Sequence, residues 1–88
     1  MNKTFTDKAF AQYVYWQTQD KKTLKRINDL IKDIERNGVD KGIGKPELLK
    51  HDEFSGHWSR RIDDANRLIY KIDEHGTLRI EYCKGHYK

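Results

Sequence analysis

The chain has 88 residues, of which 36% are charged and 35% hydrophobic, with a formal net charge of +4. That length suits one domain over residues 1–88 with one modest core, and two Trp, five Tyr and three Phe are too many aromatics for a disordered chain. Cys83 is the sole cysteine, which excludes an internal disulfide. The histidines at 51, 57, 75 and 86 lack cysteine partners at zinc-finger spacing, and no apolar run suggests a signal peptide or membrane span, so a cytoplasmic protein is expected.

The first half reads as helical. KTFT at 3–6 is a short extended start. Thr6 is a candidate N-cap, with Asp7 favourable in the first turn that follows. Phe10, Tyr13, Val14 and Gln17 then recur at helical spacing, and Trp16 widens the aromatic face. Asp20 is a second candidate cap. Behind it Leu24, Ile27, Ile31 and Ile34, with Leu30 beside them, form a second apolar stripe that stops at Asn37-Gly38. An antiparallel helical hairpin is expected, its charged outer face being ordinary solvated surface.

A long connection follows, GVDKGIGKPELLKHDEFSGH, with the only proline and three of the six glycines in its first half. Connections of that length are often functional. The rest reads as strands. WSRRI, RLIYKID and TLRIEYC alternate with period two, separated by the turn-rich DDAN and DEHG, so a meander is expected. Trp58, Ile62, Leu68, Tyr70, Ile72, Leu78, Ile80 and Tyr82 are expected under the helices. Arg61, Arg67, Ile69, Lys71, Arg79, Glu81 and Cys83 are expected on the opposite face, with Arg61 and Arg67 open to solvent.

Several chemistry-bearing residues converge if the connection and the tail both fold toward that open face. Glu47, Lys50 and His51 lie on KPELLKH. His86 and Tyr87 follow Gly85, which can turn the chain. One carboxylate, imidazoles, a phenol and two arginines suit RNA cleavage without a metal. A base takes the 2′-hydroxyl proton, an acid protonates the leaving 5′-oxygen, and cations stabilise the phosphoryl oxygens. With reference pKa values of about 4.3 for Glu and about 6.5 for His, the former is a ready base and the latter a usable acid near neutrality. Tyr82 or Tyr87 can stack on a base. Spacing alone leaves plainer readings open: Glu47 as a surface charge, His86 as tail, and Arg61 and Arg67 as ion-pair partners of Asp63, Asp64 or Glu81.

The strings GKPELLKHDEFSGHWSRRI, RLIYKID and CKGHY, with the opening AQYVYWQTQDKKTLKRINDLIKDIERNG, resemble the YoeB/Txe family of the RelE-like superfamily. The resemblance covers nearly the whole chain. It implies an α+β, RelE-like fold, with two N-terminal antiparallel helices packed on one face of a small antiparallel β-sheet. It implies a bacterial type II toxin that acts as a ribosome-dependent endoribonuclease on mRNA in the A site. By similarity Glu47 is the general base, Arg67 stabilises the phosphate, His86 is the general acid and Tyr87 completes the site. Lys50, His51, Arg60, Arg61 and Lys84 are the implied RNA or phosphate contacts, with no metal or cofactor. The implied partners are a YefM-like antitoxin, the ribosome with its A-site mRNA, a second copy in a homodimer, and operator DNA only through the antitoxin. Asn66 stands where the family usually has histidine, and Gly85 where an aromatic is common. DEF is one residue longer than usual, and Lys88 is an addition. The alternative is a non-catalytic interaction protein of the same fold, either a ParE-like gyrase inhibitor or a basic RNA-binding module.

Overall fold

Thr6 opens the first helix as its sequence position predicts. The computed structural model describes residues 1–86, Asp52 by its backbone alone. Thr6 has extended backbone angles and its Oγ1 accepts from the Ala9 N–H at 3.1 Å, starting α1 (Asp7–Gln19). Asp20 alone joins α1 to α2 (Lys21–Asn37), and its carboxylate accepts from the N–H groups of Lys22 and Thr23 at 3.1 and 3.2 Å. The second helix folds back on the first, so that Tyr13 Oη donates to Asn28 Oδ1 at 2.7 Å. Gly38, at φ 96°, ends α2.

The sheet has five strands: β1 (Lys3–Phe5), β2 (Glu47–Leu48), β3 (Trp58–Arg61), β4 (Arg67–Ile72) and β5 (Leu78–Tyr82), in the spatial order β1-β5-β4-β3-β2. The last three form the expected meander. The extended start becomes a strand parallel to β5, so the sheet is mixed rather than wholly antiparallel. This strand satisfies backbone groups that β5 would otherwise leave bare at its outer edge. The connection contributes the short β2 and a 3₁₀ turn, Asp52–Phe54. Ile27, Leu30 and Ile34 of α2 meet Leu68, Tyr70, Leu78 and Ile80 of the sheet, all without solvent exposure.

Two faces differ from the sequence reading. On α1 the buried residues are Ala9 and Trp16, whereas Phe10 and Val14 are 56% and 40% exposed. The helix is turned this way by the backbone after β5. Trp16 Nε1 donates to the Cys83 carbonyl at 2.9 Å, and the Cys83 N–H donates to Gln12 Oε1 at 2.6 Å. On the sheet, Ile69 pairs with Tyr82 and Tyr70 with Ile80, which leaves Glu81 as an extra residue in β5. The bulge moves Tyr82 to the face away from the helices and turns Cys83 into the core, where it has no exposure. Ile72, at the end of β4, is 37% exposed rather than covered.

The face away from the helices is not bare at its centre. The segment after β2 folds over it, and Leu49, His57, Ser59 and Ile69 are all buried. His57 Nε2 lies 3.0 Å from Glu81 Oε2, and the Phe54 ring packs 6.2 Å from that of Tyr82. No helix among the described residues is long and apolar enough to cross a membrane.

Candidate active site

Strand register decides which side chains share the open face. Glu47 pairs with Ser59, Ser59 with Ile69, and Ile69 with Tyr82, so these four stand in one row across the sheet. Arg61 and Arg67 pair with each other one row further on, on the same face. A strand spacing of ~4.8 Å and a rise of ~3.4 Å per residue put the Glu47 and Arg67 backbones about 12 Å apart.

The tail extends the β4–β5 pairing. The Arg67 N–H donates to the Gly85 carbonyl at 3.2 Å, the Gly85 N–H donates to Asn66 Oδ1 at 2.6 Å, and Tyr82 Oη donates to the His86 carbonyl at 3.2 Å. His86 is thereby carried to the Arg67 end of the face, exposed to solvent. Tyr87, the fourth residue of the expected catalytic set, lies outside the described residues.

Arg67 Nη1 donates to the carbonyls of Asp63 and Asn66 at 2.6 and 3.1 Å, and the guanidinium has no carboxylate partner among the described residues. Its charge is therefore held in place but not neutralised. Arg61 pairs with Asp64, whose side chain is 93% exposed. Such a solvent-exposed pair contributes little to stability. The ion-pair reading thus applies to Arg61 and not to Arg67, while Glu81 is taken by Arg79 and His57. Glu47 is exposed, and its carboxylate has no hydrogen-bond or ion-pair partner among the described residues. Lys50 and His51 are exposed just beyond β2.

Arg60 corrects the expectation of a phosphate contact. It lies between Ser59 and Arg61, so strand parity turns it to the helix side, and it is fully buried. Its Nε donates to Tyr70 Oη at 2.8 Å. Nη1 donates to Asp33 Oδ2 at 2.5 Å and the Ile43 carbonyl at 2.9 Å. Nη2 donates to the carbonyls of Gly38 and Lys41 at 2.8 and 2.5 Å. All five donors are used, leaving none for RNA. This buried fork instead shapes the loop from Gly38 to Gly44 that delivers β2, and the Arg61 N–H ties Gly44 to β3 at 2.7 Å. The hydrogen bond from Arg60, helped by those from the Ile43 N–H and Asn37, holds the Asp33 carboxyl below the usual carboxylate range against the opposing effect of burial. Lys84 also stands apart from the open face, its Nζ 4.8 Å above the Tyr15 ring of α1.

The sequence reading did not mark Asn66 or Asp63 as part of this arrangement. Asp63 Oδ1 accepts from the N–H groups of Ala65 and Asn66 at 2.9 and 2.8 Å, building the turn before β4. DDAN signals that turn but gives no sign that its last residue reaches the tail.

Comparison with known proteins gives a consistent picture. The profile of the family described as "YoeB-like toxin of bacterial type II toxin-antitoxin system" matches residues 5–87. Toxin YoeB of Streptomyces coelicolor is 56% identical over 87 residues, 99% of this chain and 100% of that protein. The heterotetrameric YoeB–YefM toxin–antitoxin complex from Staphylococcus aureus contains a chain with a TM-score of 0.88 at 47% identity, covering 99% of this chain and 98% of that one. The YoeB dimer from the same organism matches with a TM-score of 0.89 at 48% identity, with coverage of 99% and 98%.

Proposed function

Because this chain belongs to the YoeB-like toxins of bacterial type II toxin–antitoxin systems, we propose that it is a ribosome-dependent endoribonuclease cutting mRNA in the A site. The observation that carries this reading is the face shared by Glu47 and Arg67, with the His86 tail bonded beside Arg67. Glu47 takes the proton of the 2′-hydroxyl as its oxygen attacks the adjacent phosphorus. The bond from phosphorus to the 5′-oxygen breaks, and His86, as imidazolium, protonates that oxygen. The products are a 2′,3′-cyclic phosphate and a 5′-hydroxyl. Arg67 stabilises charge on the phosphoryl oxygens, and Tyr87 completes the set. These groups supply both proton transfers and the charge stabilisation, so the chemical step is metal-independent.

Lys50, His51 and Arg61 hold flanking phosphates or ribosomal RNA, and Lys84 contacts RNA from the α1 side. The whole chain works as one toxin domain in the cytoplasm. Its regulator is a YefM-like antitoxin, it forms a homodimer, and operator DNA is reached only through the antitoxin complex. The Staphylococcus aureus complex and dimer support these partners by similarity.

The test is to incubate the chain with mRNA programmed on 70S ribosomes, and with the same mRNA naked, and to map new 5′ ends. Cuts confined to the A-site codon on ribosomes, absent with Glu47→Gln and His86→Ala, are expected. No cut on either substrate would turn the reading to a non-catalytic interaction protein.

A further inference from the structure

The tail is held by more bonds than a terminal segment usually keeps. Both main-chain groups of Gly85 are taken, the N–H by Asn66 Oδ1 at 2.6 Å and the carbonyl by the Arg67 N–H at 3.2 Å. Gly85 sits at φ 88°, a left-handed conformation that turns the chain sharply there. The amide of Asn66 is itself oriented. Its Nδ2 donates to both carboxylate oxygens of Asp63 at 3.0 and 3.1 Å, so Oδ1 is the atom left to face Gly85. The same Asp63 offers its carbonyl to Arg67 Nη1 at 2.6 Å. One short turn, Asp63–Arg67, therefore sets both the phosphate-stabilising guanidinium and the bend before His86.

We propose that Asn66 is a positioning residue that acts through His86. It fixes the register of the tail against β4, so that the imidazole meets the leaving oxygen beside Arg67. The inference rests on the nuclease reading above. A displacement of about 1 Å in a reacting group can cost a hundredfold in rate, so one bond at Gly85 has leverage on catalysis. The site needs a neutral side chain with an acceptor at the δ position. Aspartate meets the acceptor requirement but sets a second carboxylate against Asp63. Histidine meets it through Nδ1, which gives a physical reason for the two residues to interchange at this position.

The test is single-turnover cleavage on programmed ribosomes across toxin concentrations, together with hydrogen exchange at the Gly85 amide. Asn66→Ala and Asn66→Asp are expected to lower the cleavage rate constant about 10–100-fold, with half-saturation moving less than about twofold. Asn66→His is expected to restore most of the rate. On a His86→Ala background Asn66→Ala should cost nothing further, whereas with Glu47→Gln the losses should multiply. An equal loss from Asn66→Ala with and without His86, or a loss confined to half-saturation, would overturn the proposal. If the wild-type chain makes no cut, the nuclease reading falls. Gly85 exchange then still decides whether Asn66 holds the tail, because unchanged exchange in Asn66→Ala would refute the clamp.

Discussion

Arg60 Nη1 meets Asp33 Oδ2 at 2.5 Å beneath the loop that leads into Glu47, joining α2 to β3 through a buried charge pair. Removing one member strands the other in a poorly hydrated place. Arg60→Met is expected to destabilise the chain by about 3 kcal/mol or more, read from urea unfolding. Arg60→Lys should rescue little, since an ammonium cannot reproduce five donors in a planar fork. Wild-type stability in either variant would remove the network from the account of how β2 is placed.

Acid should destabilise the protein through its paired carboxylates, Asp33 and Glu81 among them. The Arg60 hydrogen bond lowers the pKa of Asp33. Burial pushes the Glu81 carboxyl up, but the hydrogen bonds from Arg79 and His57 outweigh it and leave its pKa lowered as well. Below the usual carboxylate range the unfolded chain then binds more protons than the folded one. Their stabilisation is fully present above about pH 5, and it is lost as pH falls through the ordinary values near 4 toward the lowered ones. Melting temperatures measured from pH 3 to 7 should fall steeply only at the acid end, and Asp33→Asn should flatten that fall.

The catalytic assignments predict separate losses. Glu47→Gln and His86→Ala should each lower the single-turnover rate by about 10²–10⁴, and Arg67→Ala by about 10²–10³. Loss of less than tenfold in any of these variants would take that residue out of the chemical step.

Cys83 is expected to be inert in the folded chain. Burial pushes its thiol up to about 12, against a common value near 8.5. Thiolate is the reactive form, so at pH 8 labelling by iodoacetamide should be about a thousandfold slower than in denaturant. Labelling that tracks the unfolding rate would agree with this, and rapid labelling of native protein would contradict the burial of β5's end.

The local signals were legible in the sequence. Thr6, Asp20 and Gly38 mark the helix ends because capping depends on neighbours within a turn or so, and period two marks the three meander strands. Long-range features were not. The parallel pairing of Lys3–Phe5 with β5 depends on an edge some 75 residues away, and nothing around Glu81 announces a bulge. Arg60 is a different case. Its parity with Trp58 and Ile62 already pointed inward, but a resemblance to RNA-contacting arginines does not weigh strand geometry. Asn66 and Gly85, two of the departures from the family pattern, prove to be bonded to each other, a contact that spans a hairpin and is invisible to either residue's own neighbours.

The extra residue at Glu81 has a consequence for how the end of the chain can change. It sets the phase of everything after it, like a frame shift in a repeating text. Replacements between Tyr82 and His86 alter chemistry at fixed places. Pairing Glu81 in regular alternation, with no bulge, would instead exchange inside for outside, putting Tyr82 under the helices, the thiol of Cys83 in water and His86 out of step with Arg67. The terminus is thus constrained by its register before it is constrained by its composition.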